Sequence, residues 1–119
     1  SGMPPEQIFK TLVARGEKRG YLVFCIPVCC ELDLKKAAKA AGDKKVELIH
    51  VKELLPLTGY IRGGCSPIGM KKSFPTYIHS TCRLYDSIYV SAGVRGLQIR
   101  IAPDDLIRTT NASVVDLTV

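Results

Sequence analysis

Apolar and polar positions alternate with period two over residues 7–14. The alternation puts Phe9, Thr11 and Val13 on one face and Lys10, Leu12 and Ala14 on the other, the mark of a strand. Residues 15–20 are a polar turn containing Gly16 and Gly20, and the apolar run 21–28 reads as a buried strand returning as the second arm of a hairpin. The period then changes. Leu34, Ala37, Ala38 and Ala41 fall at i, i+3, i+4 and i+7, which predicts an amphipathic helix with Asp33 as N-cap and Gly42 as its stop. A short strand follows at 46–49, then a weak helical turn at 51–57, weakened by Pro56 inside it. Strands are predicted at 76–79, 87–91 and 97–101, with 92–96 as the turn between the last two. In the third of these Leu97, Ile99 and Ile101 point one way, Gln98 and Arg100 the other. Pro103 with Asp104 and Asp105 opens a last helix, Asn111 closes it, and 114–117 form a final strand. Short strands and helices alternating irregularly around tight hairpins predict an α+β fold with a mixed, curved sheet, rather than a doubly wound parallel one.

One stretch fits neither period. Thr58-Gly59-Tyr60-Ile61-Arg62-Gly63-Gly64-Cys65-Ser66-Pro67-Ile68-Gly69 holds four of the ten glycines. Glycine tolerates positive φ and lets a ligand or another backbone come close. Two readings stand: a sheet-crossing turn that needs glycine for geometry, or a loop that holds a ligand against bare backbone. The Gly64 to Gly69 spacing is that of a P-loop, but Met70 stands where the lysine must be and Pro67 removes an amide from the cradle. The G-x-G-x-x-G dinucleotide pattern is absent.

Composition narrows the function classes. At 119 residues, 46% hydrophobic and 24% charged, the chain reads as one ordinary soluble globular domain. Its longest apolar run is interrupted by Pro27 and is too short to span a membrane. Seventeen Lys and Arg against eleven Asp and Glu give +6, which suits a polyanionic partner and equally suits simple solubility. Lys35, Lys36 and Lys39 line the outer face of the first helix, and Lys44, Lys45, Lys71 and Lys72 follow. They form either a solvated surface or a landing strip for phosphates. Five cysteines with no C-x-x-C predict free thiols in a reducing cytoplasm. The adjacent pair Cys29-Cys30 is poorly placed to share one ion or to bond to itself. His79-x-x-Cys82 is the one hint of metal spacing and falls short of a zinc ligand set.

No familiar nucleophile constellation is present. There is no G-x-S-x-G elbow, and neither His50 nor His79 has a sequence context pairing it with a nucleophile. Cys65 in the glycine loop is the one candidate for covalent work, with no base nearby in sequence. Lys10 shares its strand face with apolar neighbours. It is either a lysine snorkelling from a strand end or an ammonium held at the edge of a pocket. Chemistry by positioning and main-chain donors is what remains.

Phe9-Lys10-Thr11-Leu12, Leu32-x-Leu34-Lys35-Lys36-x-Ala38, Thr58-Gly59-Tyr60-x-x-Gly63-Gly64-x-Ser66-Pro67-x-Gly69, Ile88-Tyr89-Val90-Ser91-x-Gly93-x-Arg95-Gly96-Leu97 and Ala102-Pro103-x-Asp105-Leu106 occur in this order. Together these blocks resemble the YbaK/EbsC family, the bacterial Cys-tRNA(Pro) deacylases and the editing domain of prolyl-tRNA synthetases. The resemblance implies a barrel-like mixed sheet and a single deacylase domain over residues 1–119. It implies trans-editing, the hydrolysis of the ester joining a wrong amino acid to tRNA, where a synthetase cannot reject a small side chain by binding alone. In the cysteine-specific branch the substrate's own thiol attacks its carbonyl, so no protein nucleophile, metal or cofactor is implied. The implied partner is aminoacyl-tRNA, of tRNA(Pro), with prolyl-tRNA synthetase as a second candidate and no membrane. Lys10 takes the place of the family's essential lysine, and Gly63 and Gly64 that of its backbone wall and carbonyl contact. Thr11, Tyr60, Ser66, Pro67, Ser91 and Gln98 fall where substrate contacts are expected. Lys35, Lys36, Lys71 and Lys72 are read as phosphate contacts from charge alone.

Two departures bear on activity. Family members usually begin a few tens of residues earlier, with a helix and strand that add aromatic pocket residues; the match here starts almost at once, which implies a more open pocket. Gln98 stands where many members carry an acid. Three functions follow as expectations: Cys-tRNA(Pro) deacylation, Ala-tRNA(Pro) deacylation by a bound water, and tRNA binding without catalysis.

Overall fold

The computed structural model describes residues 2–119. After a 3-10 turn, β1 (Phe9–Gly16) and β2 (Gly20–Pro27) form an antiparallel hairpin from the Phe9–Pro27 pair to the Gly16–Gly20 pair. Then come α1 (Leu34–Ala41), β3 (Val46–Leu48), α2 (Val51–Thr58), β4 (Thr76–His79), β5 (Ile88–Ser91), β6 (Gln98–Ile101), α3 (Pro103–Thr110) and β7 (Ser113–Val115). The main sheet runs β3-β1-β2-β4-β7, antiparallel through β1 and parallel from β2 to β7. β5 and β6 make a second, two-stranded sheet, joined to the start of β1 by a parallel bridge between Ile8 and Tyr89. The architecture is α+β with a mixed sheet, as the alternation predicts.

The period-two reading of β1 and β2 separates two cores. Phe9, Val13, Val23 and Cys25 pack on one face with Ile78, Ile88, Val90, Leu106, Cys65 and Cys82. Ala14, Leu22, Phe24 and Ile26 pack on the other with Ala37, Ala38 and Ala41 of α1, Tyr77 and Leu117. Small alanines let α1 lie close to the sheet, and Phe24 stacks on Tyr77 with centroids 5.3 Å apart. The Asp33 carboxylate accepts from the N–H groups of Lys35 (2.9 Å) and Lys36 (3.1 Å), and Gly42 ends the helix at φ 69°.

The stretch around Pro56 is a full eight-residue helix rather than a weak turn. Pro56 is the sixth residue of α2, so its missing N–H orphans a single carbonyl, that of Lys52. The ends compensate. The His50 N–H donates to the Glu53 carboxylate at 2.9 Å, and Gly59 in the left-handed region donates to the Leu55 carbonyl at 2.9 Å. β6 begins at Gln98, one residue later than the sequence reading; Leu97 and Ile99 are exposed, whereas Ile101 on the same face packs against the first core.

The His79-x-x-Cys82 spacing does not bring the two side chains together. Cys82 lies in the first core, whereas His79 holds the end of the chain. Its Nδ1 accepts the Leu117 N–H at 3.0 Å, which places the ring proton on Nε2, 3.4 Å from Thr118 Oγ1. Burial pushes the His79 pKa down, against a smaller pull upward from Asp116. A lowered folded pKa means the unfolded chain binds the proton more readily. The stability that neutral His79 contributes is therefore full above the unfolded value of about 6.5 and is lost as pH falls through it. Urea midpoints for the parent should drop between about pH 7 and pH 5. His79→Gln should flatten that slope, and an equal slope in both proteins would exclude His79 as its source.

Candidate active site

A cavity of about 620 Å³ opens where the sheet has a gap. β1 is paired with β5 only through Ile8 and with β3 only from Ala14 onward. No strand covers the outer edge of β1 between those points. The Val13 carbonyl points to that edge, where it accepts the Ile49 N–H at 3.1 Å. Strand period two then turns the Thr11 N–H and C=O to the same edge, and no neighbouring strand meets them there. Residues 8–13 line the cavity without a break because it is the main-chain edge, as well as one face, that forms the wall.

The opposite walls come from His50, Val51 and Leu54 at the start of α2, from Arg62, Gly63 and Cys65 of the glycine loop, and from Ser91 and Gln98 of the small sheet. The lining holds no Asp or Glu. Lys10 is half-buried, and among the described residues it has no carboxylate partner within ion-pair range. Its charge reaches the exit of β2. Burial pushes the Cys30 thiol up, Cys29 adds to that, and Lys10 pulls the other way. The Cys29 and Cys30 sulfurs are 3.9 Å apart.

The diglycine conformation has a visible cause. Gly63 sits at φ 84°, and a Cβ there would come within 3.1 Å of Arg95 Nε, which donates to the Arg62 carbonyl at 2.9 Å. A Cβ on Gly64 would come within 3.2 Å of the backbone of Val94 and Arg95. The loop and the β5–β6 turn therefore lie backbone to backbone. Gly64 donates its N–H to the Ile61 carbonyl at 3.0 Å and does not line the cavity, so it is not free to donate to a substrate oxygen. Gly63 lines the cavity, and among the described residues its N–H has no hydrogen-bond partner.

Of the residues expected from the sequence, Lys10, Thr11, Gly63, Ser91 and Gln98 meet in this cavity. Tyr60, Ser66 and Pro67 stand outside it. The Tyr60 hydroxyl donates to the Ile68 carbonyl and its ring lies against Gly93, pinning the glycine loop to the hairpin turn. The buried Ser66 Oγ accepts the Ile68 N–H at 3.2 Å, and Pro67 lines a separate small groove with Lys72. Lys36 is held by Asp116 at 2.9 Å and the Thr118 carbonyl at 2.7 Å; Lys71 lies along Gly59. Lys35 belongs to α1, which covers the sheet face opposite the first core. Sequence spacing did not single out His50 or Arg62 for the cavity. Both are brought there by the turns flanking α2, which leave no periodic signal.

Burial pushes the Cys65 thiol up to about 11, so it is neutral at pH 7. Cys65→Ser is therefore expected to change deacylation less than about threefold, since no thiolate is available to lose. A steady-state assay reads this directly, and a drop of two orders would restore the covalent reading.

This fold is that of a known class. The chain belongs to the aminoacyl-tRNA editing domain family, whose sequence profile matches residues 1–109. It is 55% identical over 117 residues, 98% of this chain and 71% of the other, to EbsC of Enterococcus faecalis, named as a candidate Cys-tRNA(Pro)/Cys-tRNA(Cys) deacylase. It is 25% identical over 105 residues to YwhH of Bacillus subtilis, covering 88% of this chain and 66% of that one. A solved structure described as a candidate trans-editing enzyme for prolyl tRNA synthetase superposes with a TM-score of 0.90 at 31% identity, over 99% of this chain and 74% of that one. The family resemblance drawn from the motifs is established by these matches.

Proposed function

We propose that this chain is an aminoacyl-tRNA deacylase that hydrolyses Cys-tRNA(Pro) in the cytoplasm, with the substrate's thiol as nucleophile. The observation that carries the reading is the cavity itself. It combines one unpaired ammonium, one free glycine N–H and a bare strand edge, with no carboxylate and only a neutral thiol. Such a site can bind and polarise an ester but supplies no strong nucleophile of its own. In the proposed step the cysteinyl sulfur bonds to the carbonyl carbon. The ester C–O bond to the ribose breaks, and the ribose oxygen takes the thiol's proton. Water then opens the thioester ring. Lys10 and the Gly63 N–H face the negative charge that gathers on the carbonyl oxygen. The Thr11 carbonyl accepts from the substrate's α-ammonium, a task for which the lining offers no acid.

The test is a single-turnover panel of cysteinyl, alanyl and prolyl esters on one tRNA. Cysteine should be lost fastest. Faster loss of alanine would favour the second reading, in which a bound water attacks and His50, at the cavity wall, takes its proton. That reading also requires His50→Gln to slow alanine loss while sparing cysteine loss. Binding of tRNA with no ester hydrolysed would leave a non-catalytic module.

A further inference from the structure

We infer that Arg95 and Arg62 form a phosphate clamp at the rim of the cavity, gripping the RNA backbone next to the esterified 3′ end; this rests on the deacylase reading above. Three of the seven arginines are committed to carboxylates: Arg15 to Glu53, Arg83 to Asp104 and Arg108 to Asp105. Among the described residues, Arg62 and Arg95 have no carboxylate within ion-pair range. Arg62 is the one arginine in the cavity lining.

Arg95 is placed as well as charged. Its Nε donates to the Arg62 carbonyl, and its stem lies across Gly63, where a Cβ would stand 3.1 to 3.5 Å from its side-chain atoms. With Nε committed, the two terminal NH₂ groups remain free and form a planar fork. A planar fork fits the two oxygens of a phosphodiester, which a lysine meets only as a point charge. Holding the stem in advance reduces the rotamer freedom lost on binding. An amino acid esterified to RNA has no free carboxylate, so the anions that enter with this substrate are its phosphates. The lysines on the far helix face are worse placed, and Lys36 is already paired with Asp116.

The test uses the full chain, uncharged tRNA and a short RNA matching its single-stranded 3′ end. Binding is followed by fluorescence anisotropy across a salt series, and deacylation by steady-state kinetics. Arg95→Gln and Arg62→Gln should each weaken binding about tenfold. Each should lower the slope of log affinity against log salt by about 0.7 per phosphate lost. KM should rise by a similar factor with kcat little changed. Arg95→Lys should keep the salt slope and still lose affinity, because the charge remains and the fork does not. Lys35→Gln should change neither quantity.

Arg62→Gln leaves the Arg62 carbonyl bond to Arg95 in place, so it serves if Arg95→Gln proves unstable in a melt. If the parent hydrolyses no ester yet the arginine variants change the salt slope, the deacylase reading falls and the clamp stands. If the parent binds RNA with a slope unchanged in both glutamine variants, or binds none, the clamp is overturned whatever the esters do.

Discussion

Lys10→Ala is expected to lower single-turnover deacylation by about 10²- to 10³-fold, the range seen when one preorganised donor to a developing oxyanion is removed. Lys10 sits in β1 opposite Ile26, with its strand paired along the whole length to β2, so the backbone that carries it is rigidly held. Among the described residues no carboxylate within ion-pair range diverts the ammonium. Within the lining, the other permanent cation is Arg62. Removing the stem of a half-buried lysine should cost about 1 kcal/mol of stability at most. Circular dichroism and the melt should thus stay close to those of the parent. Lys10→Met keeps the apolar stem and discards the charge, so it should match alanine in rate and the parent in stability. Hydrolysis at the parental rate in Lys10→Met would remove the ammonium from the mechanism, and a rise in KM with kcat unchanged would recast Lys10 as a binding group.

Much of the scaffold around Lys10 was legible because it is periodic. The alternation of Phe9 to Ala14 assigned each side chain to the core it joins, and Asp33, Gly42, Pro103 and Asn111 marked helix ends that the backbone confirms. Pro56 misled because a proline is charged against a helix by rule, whereas its cost here is the loss of one carbonyl's partner. The cavity was only half legible. Period two states which face a side chain takes but not which edge of a strand lies open. The Thr11 main chain therefore carries no sequence signal, and the gap follows from β3 and β5 meeting β1 at its two ends. Tyr60 and Ser66 lie in the same motif as Gly63 yet serve the loop's own folding. A motif marks what must be kept and does not separate wall from buttress.

Gly63→Ala should lower both stability and rate, and the two losses have separable causes. At φ 84° an alanine costs about 1–2 kcal/mol before any contact is made. In a domain of this size that is a fall of roughly 4–10 °C in Tm. The new methyl would also press on Arg95 at Nε and Cγ and displace the bond to the Arg62 carbonyl. Adding Arg95→Ala clears the obstruction without easing the backbone. The double variant should therefore keep most of the Tm deficit while the loop regains its packing freedom. Its kcat should stay low, because the Gly63 N–H depends on the left-handed turn for its direction; the KM rise expected from losing Arg95 is separate. Gly64→Ala supplies the contrast. It carries no positive φ, but its methyl meets backbone atoms of Val94 and Arg95, which cannot swing aside. Its Tm deficit should consequently persist when Arg95 is truncated. Full recovery of kcat in Gly63→Ala with Arg95→Ala would show that the glycine serves only to admit Arg95, and would take its amide out of the reaction.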